Sequence, residues 1–154
     1  MRLTLVAVGR LRGEPLAEAF GEYAKRLKAG RWSLDVVEVE ERRKLAGPEL
    51  AMREGELILA AIPPDSHVVA LDGRGPALTS EAFAARLRQL RDDGRRVCFL
   101  IGGADGFAPA VREAADQLLG LGAMTWPHKL VRVMLAEQLF RAQSILAGHP
   151  YHRA

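Results

Sequence analysis

The stretch "VCFLIGGADGF" (97–107) decides the fold. Its first five residues are apolar without interruption, as in a strand covered on both faces rather than one half-exposed to water. A glycine-rich turn leaves the strand, and Pro109 stands where the next helix opens, so the stretch begins a strand-to-helix unit. "RLTLVAV" (2–8) and "HVVAL" (67–71) read as buried strands, and "WSLDVVEV" (32–39) as a β-branched strand alternating through Trp32, Leu34 and Val36. Helices fill the intervals. One runs from Pro15 with Leu16, Ala19, Phe20, Tyr23 and Leu27 at helical spacing. The charged loop "EERRKLAGPE" (40–49) leads to another after Pro48, with Leu50, Leu57, Ile58, Ala61 and Ile62, that stops at "PPDS" (63–66). A third starts at Thr79 or Ser80 and presents Phe83, Leu87 and Leu90 before "DDGRR" (92–96) breaks it. The pattern predicts two more helices, from Pro109 to about Leu119 and from about His128 to Ala147, the latter capped by Gly148. Strands that alternate with helices predict an α/β fold, an open, mostly parallel sheet with helices on both faces. At 154 residues, a single domain over 1–154 is expected.

The bulk properties narrow the classes of function. Residues 1–116 carry equal numbers of acidic and basic groups, so the net charge of +3 arises in residues 117–154, where Lys129, Arg132, Arg141 and Arg153 face only Glu137. Three of the four histidines lie there too, a composition that suits a phosphate-bearing partner. The early run "LTLVAV" is too short for a signal peptide, and no stretch approaches the roughly 20 apolar residues of a membrane span. A cytoplasmic protein with no membrane partner is expected. Cys98, alone of its kind, is expected to be a buried strand thiol, and neither a disulfide framework nor a cysteine-based zinc site can form within the chain.

In a sheet of this type, ligands bind beyond the C-terminal ends of the strands. Three loops lie there: "LDGRG" (71–75), "IGGADGF" (101–107) and "LGLGAMTWPH" (119–128). The second fits either a phosphate cradle or a tight turn, and it lacks the spacing of a dinucleotide or P-loop motif. The third is uncharged and rich in small residues. It suits close backbone approach to a flat ligand, with Leu121, Met124 and Trp126 as apolar walls, or else an ordinary buried connection. The last helix is apolar on more than one face, through Leu130, Val131, Val133, Met134, Leu135, Leu139, Phe140, Ile145 and Leu146, which predicts burial on two sides, within the domain or against another subunit. Glu137 and Arg141 stand four apart and read as a helix-surface ion pair. Arg132 has no such local partner and is the candidate for a phosphate or substrate contact. His128 reads as a polar group near a helix start.

On "LVAVGRLR" (5–12), "VVALDGRG" (68–75), "FLIGGADGF" (99–107) and the long block "MTWPHKLVRVMLAEQLFRAQSILAGHPYHRA" (124–154), the whole chain resembles the ribosomal large-subunit pseudouridine N3-methyltransferases, a family of the SPOUT or α/β-knot class. Pro76 stands where that family has a lysine, so no basic contact is carried over there. The resemblance implies a C-terminal deep trefoil knot, an exception to the general absence of knots. It implies S-adenosylmethionine as cofactor, held by Leu71, Gly102, Gly103, Leu121, Gly122, Ala123, Met124, Thr125 and Trp126, with no metal. It further implies a homodimer in which the tail of one chain reaches the cofactor of the other. The implied substrate is N3 of the pseudouridine at position 1915, in the helix 69 loop of 23S rRNA within the 70S ribosome, not DNA. Removing the N3 proton calls for a base, and His152 is the choice because an imidazole titrates near neutrality. Tyr151 is expected to stack on or orient the base, and Arg153 and Arg132 to hold phosphate or stabilise the developing anion. A non-catalytic ribosome-binding module and a knotted tRNA methyltransferase are the competing readings.

Overall fold

The computed structural model describes residues 1–153. The chain runs β1 (Arg2–Val8), α1 (Leu16–Ala29), β2 (Ser33–Val39), α2 (Gly47–Ala61), β3 (Ser66–Leu71), α3 (Ser80–Asp92), β4 (Arg96–Ile101), α4 (Pro109–Ala114), β5 (Gln117–Leu119) and α5 (His128–Leu146). All five strands are parallel, in the order β2-β1-β4-β3-β5. Among the described residues no helix is long and apolar enough to cross a membrane.

Successive residues of a strand point to opposite faces, and that alternation divides the core in two. Leu3, Leu5 and Ala7 of β1, Val69 of β3 and Val97, Phe99 and Ile101 of β4 pack under α1, α3 and α5. Val6, Val8, Val68, Ala70, Cys98 and Leu100 point the other way, against Ile58 of α2, Val111 of α4 and Phe107. The continuous apolar runs are therefore two interleaved sets, one for each helical layer. β2 lies at the sheet edge, where Val36 and Val37 remain exposed, and Trp32 is buried one residue before the strand begins.

The helix expected from Pro109 to Leu119 is half that length. It ends at Ala115, whose ψ of 135° is extended. Asp116 then ties the chain to β3, its N–H donating to Val68 O at 2.9 Å and its carboxylate accepting from Val68 N–H at 2.7 Å. Gln117–Leu119 follow as β5, paired with Val69–Leu71. The helical pattern of the sequence loses to the open edge of β3, whose backbone groups β5 pairs. This fifth strand delivers Leu119 beside the end of β3. There Asp72 N–H donates to Leu119 O at 3.0 Å and Gly120 N–H to Pro76 O at 3.1 Å. The two backbones touch at Gly75 and Gly120: a Cβ on Gly120 would lie 2.6 Å from Gly75 O, and one on Gly75 2.6 Å from Leu118 C. Only glycine permits that approach.

Candidate functional site

The three loops meet at the C-terminal ends of β3, β4 and β5 around a cavity of about 450 Å³, within the usual range for a small-molecule site. Leu71, Gly102, Gly103, Leu121, Gly122, Ala123, Met124, Thr125 and Trp126 all line it. The 121–126 loop is held in shape by Trp126, whose indole N–H donates to Leu121 O at 3.1 Å, and by Gly122 at a φ of 104°. Met124 is 75% exposed and Trp126 39%, so two large apolar side chains stand partly bare at the opening. On the facing side, Gly102 lies against Phe107; a Cβ there would come 3.2 Å from the ring.

Sequence reasoning passed over several other groups in this wall. Asp72 lines the cavity and accepts from Arg112 Nε at 2.7 Å and from Arg74 N–H at 2.8 Å. Burial works to raise its pKa, but the bond from the Arg74 backbone, the bond from Arg112 and their charges hold the carboxyl below its ordinary range. His128 also lines the cavity, with Nδ1 buried and without a hydrogen-bond partner. Burial, and then the charges of Arg132 and Lys129, push its pKa down and favour the neutral ring. Asp72 was legible in "LDGRG" as the one acid in that turn. His128 closes the third loop, "LGLGAMTWPH", where the sequence reads it only as a polar group near a helix start; it reaches the cavity because α5 begins beside it.

Arg132, expected to hold phosphate or substrate, has its guanidinium engaged within its own chain. It is 1% exposed and points inward. One Nη donates to Glu38 at 2.7 Å, and the other to Val8 O and Gly9 O, each at 2.6 Å. Burial favours a neutral Glu38, but the bonds from Arg132 and from Leu11 N–H, with the charges of Arg132 and Arg10, keep the carboxyl below its ordinary range. The guanidinium thus fixes the turn after β1, on which His128 rests: a Cβ on Gly9 would lie 3.9 Å from the His128 ring. Other basic groups of residues 117–154 are paired too. Lys129 pairs with Glu14 at 2.6 Å and Arg132 with Glu38, both acids outside residues 117–154, and Arg141 pairs with Glu137 within them, so among the described residues Arg153 alone of the four makes no ion pair.

The tail folds back on its own helices. Tyr151 packs edge-on to Phe140 with centroids 4.7 Å apart and lies under the Arg141 guanidinium at 4.9 Å, while its hydroxyl donates to Glu137 at 3.0 Å. Burial, together with bonds to Tyr23 and Glu137, pushes the phenol pKa up. His152 meets Glu81 through Nε2 at 2.7 Å and Arg141 through Nδ1 at 3.4 Å. None of Tyr151, His152 or Arg153 lines the cavity of the same chain. Beside that cavity lies an apolar groove of about 550 Å³, lined by Leu78, Phe83, Val133 and Met134 among others, and the two share Leu119, Leu121 and Gly122. It accounts for the second apolar face of α5, the first being in the core.

Comparison with known proteins bears on this arrangement. A family model described as "Predicted SPOUT methyltransferase" matches residues 1–152. The chain is 58% identical over 155 residues to a protein of Rhodospirillum centenum named "Ribosomal RNA large subunit methyltransferase H", covering all of both chains. It is 55% identical over 154 residues to one of the same name from Paramagnetospirillum magneticum, covering 99% of each. Among solved structures, the "Probable Methyltransferase from Bordetella pertussis Tohama I" matches with a TM-score of 0.58 at 18% identity, covering 92% of this chain and 95% of that one. A "probable methylase family protein from Haemophilus influenzae Rd KW20" matches with a TM-score of 0.54 at 13% identity over 99% of this chain and 70% of the other. At those identities the structures speak for the fold alone. With the family match running from Met1 through His152, across every loop that walls the cavity, the chain belongs to the SPOUT methyltransferases.

Proposed function

We propose that this chain methylates N3 of the pseudouridine at position 1915, in the helix 69 loop of 23S rRNA, using S-adenosylmethionine and acting as a homodimer on assembled ribosomes. The observation that carries the reading is the convergence of three separate loops on one cavity, with uncharged small residues on one side and exposed Met124 and Trp126 at the opening. The relatives' shared name supports the rRNA substrate. The donor set fits the cofactor: backbone groups of 121–126 for an adenine edge, apolar walls for its faces, and an unpartnered His128 Nδ1 for a polar group. The C-terminal trefoil knot belongs to the same proposal, supported by the close passage of residues 118–120 past 72–77.

The cofactor supplies an already activated methyl on its sulfonium, so the protein mainly has to align donor and acceptor. The cavity wall holds the donor, and Tyr151, His152 and Arg153 of a second copy serve the acceptor. Tyr151 orients the base, His152 takes the N3 proton, and Arg153, free of ion pairs among the described residues, holds phosphate. Supporting the second copy, the apolar groove adjoins the cavity through Leu119–Gly122, and the tail of the same chain lies on α3 and α5 instead. To act as a base, His152 exchanges its contacts with Glu81 and Arg141 for the substrate.

The test is mass mapping of rRNA after incubation of ribosomes with enzyme and cofactor, with and without prior pseudouridylation. Methyl at that nucleotide only after pseudouridylation is expected. Transfer to tRNA, or none at all, overturns the reading. A His152→Ala protein that methylates at the normal rate removes the base assignment alone.

A further inference from the structure

Outside the cavity, but touching its wall, one acid stands in a costly place. Glu54 of α2 is 93% buried by surface, since only 7% of it remains accessible, and Oε1 has no hydrogen-bond partner among the described residues. Its carboxyl lies flat against the back of Gly103: a Cβ on that glycine would fall 2.7 Å from Oε2 and 3.1 Å from Oε1. Gly103 in turn lines the cavity, so one glycine separates the carboxyl from whatever the cavity holds. A buried, unpaired carboxyl costs stability, and an apolar side chain would pack there without that cost.

We propose that Glu54 is the counter-charge for the sulfonium of S-adenosylmethionine, a residue that lets the cavity hold the charged donor more tightly than the neutral thioether product, S-adenosylhomocysteine. The inference rests on the reading of the cavity as a S-adenosylmethionine site. Before binding, burial and then the charge of Asp105 push the Glu54 pKa up and favour the neutral acid. A cation on the other side of Gly103 favours the carboxylate, and the proton leaves to solvent as the donor binds. Methyl transfer removes the positive charge, the carboxylate loses its reason to stay ionised, and the product is released more readily.

The other charged groups around Glu54 are already committed or face outward. Arg112 of α4 is paired with Asp72, and Glu113 is exposed. Arg53 and Glu56 of its own helix pair with each other, and Arg53 also binds Glu41. β1 and β2 turn Val6, Val8 and Val39 towards this layer. Asp105 is thus the charge that acts on Glu54 from the loop packed against it.

Calorimetry of the full-length protein with S-adenosylmethionine and with S-adenosylhomocysteine, from about pH 5 to about pH 8, tests the proposal. The two ligands carry the same amino acid and adenosine ends, so their difference isolates the sulfonium. For the wild type, donor affinity is expected to rise with pH to a plateau, with proton release seen in buffers of different ionisation enthalpy, while product affinity stays flat. Glu54→Gln is expected to lower donor affinity roughly tenfold and to leave product affinity within about twofold, the scale for unit charges interacting across a thin protein layer. An unchanged ratio of the two affinities in Glu54→Gln overturns the proposal, as does donor binding by the wild type without proton release. The second measurement needs no variant and decides the matter if Glu54→Gln folds poorly. A wild type that binds neither ligand overturns the cavity reading and this inference together.

Discussion

Arg132→Ala separates a structural guanidinium from one that meets substrate. Removing it leaves Val8 O and Gly9 O without the donors they have at 2.6 Å, opens a void where the largest fully buried side chain stood, and unpairs Glu38. Two orphaned carbonyls, the lost packing and a modest share for the ion pair come to about 4 kcal/mol. The ion-pair share is kept small because the Glu38 side chain is 33% exposed and water can solvate it. For a domain of this size that loss lowers the melting temperature by roughly 10 °C. The variant should also respond differently to acid. The folded-state pKa of Glu38 is depressed, so its contribution is complete above the ordinary value of 4.5 and disappears as pH falls through the lower folded value. The wild type therefore loses this increment on acidification, and Arg132→Ala, which keeps only the share due to Leu11 N–H and Arg10, shows a flatter acid limb. Thermal and denaturant unfolding at neutral and acidic pH read both effects. A variant that melts within about 2 °C of wild type, yet binds ribosomes far more weakly, would refute the structural role and restore the phosphate contact.

Three further outcomes follow from the geometry. Trp126→Ala should weaken S-adenosylmethionine binding by roughly tenfold in calorimetry while lowering the melting temperature by no more than about 4 °C, because the indole is 39% exposed, stands at the cavity mouth and gives up one loop hydrogen bond. Gly75→Ala drives a methyl to 2.6 Å from Leu118 C, so denaturant unfolding should show a loss of about 2 kcal/mol or more, together with weaker cofactor binding as the β3 and β5 loops separate. Cys98 is fully buried and burial raises its pKa to about 12, so iodoacetamide should leave the native protein unmodified and label it once unfolded, as followed by intact mass.

Much of the architecture was open to reading because its cause is local. Continuous runs such as Val97–Ile101 record burial on two faces, and Pro15, Pro48, Thr79 and Gly148 mark helix ends by their backbone chemistry. The lining of the cavity was reached from loop position and family resemblance together. β5 was missed because "PAVREAADQLL" (109–119) is a good helix until β3 offers its edge.

The sequence by itself determined the alternating α/β order, the layered core and the three loops that converge, since each follows from residue type and spacing within a few neighbours. Only the tertiary structure decided what the charged groups do. Arg132 and Glu38 lie 94 residues apart, Lys129 and Glu14 115 apart, and His152 and Glu81 71 apart, and no local pattern links them. An ion pair acts through space at a few ångströms, so whether a basic residue awaits a ligand or already holds its own chain together is settled by the fold.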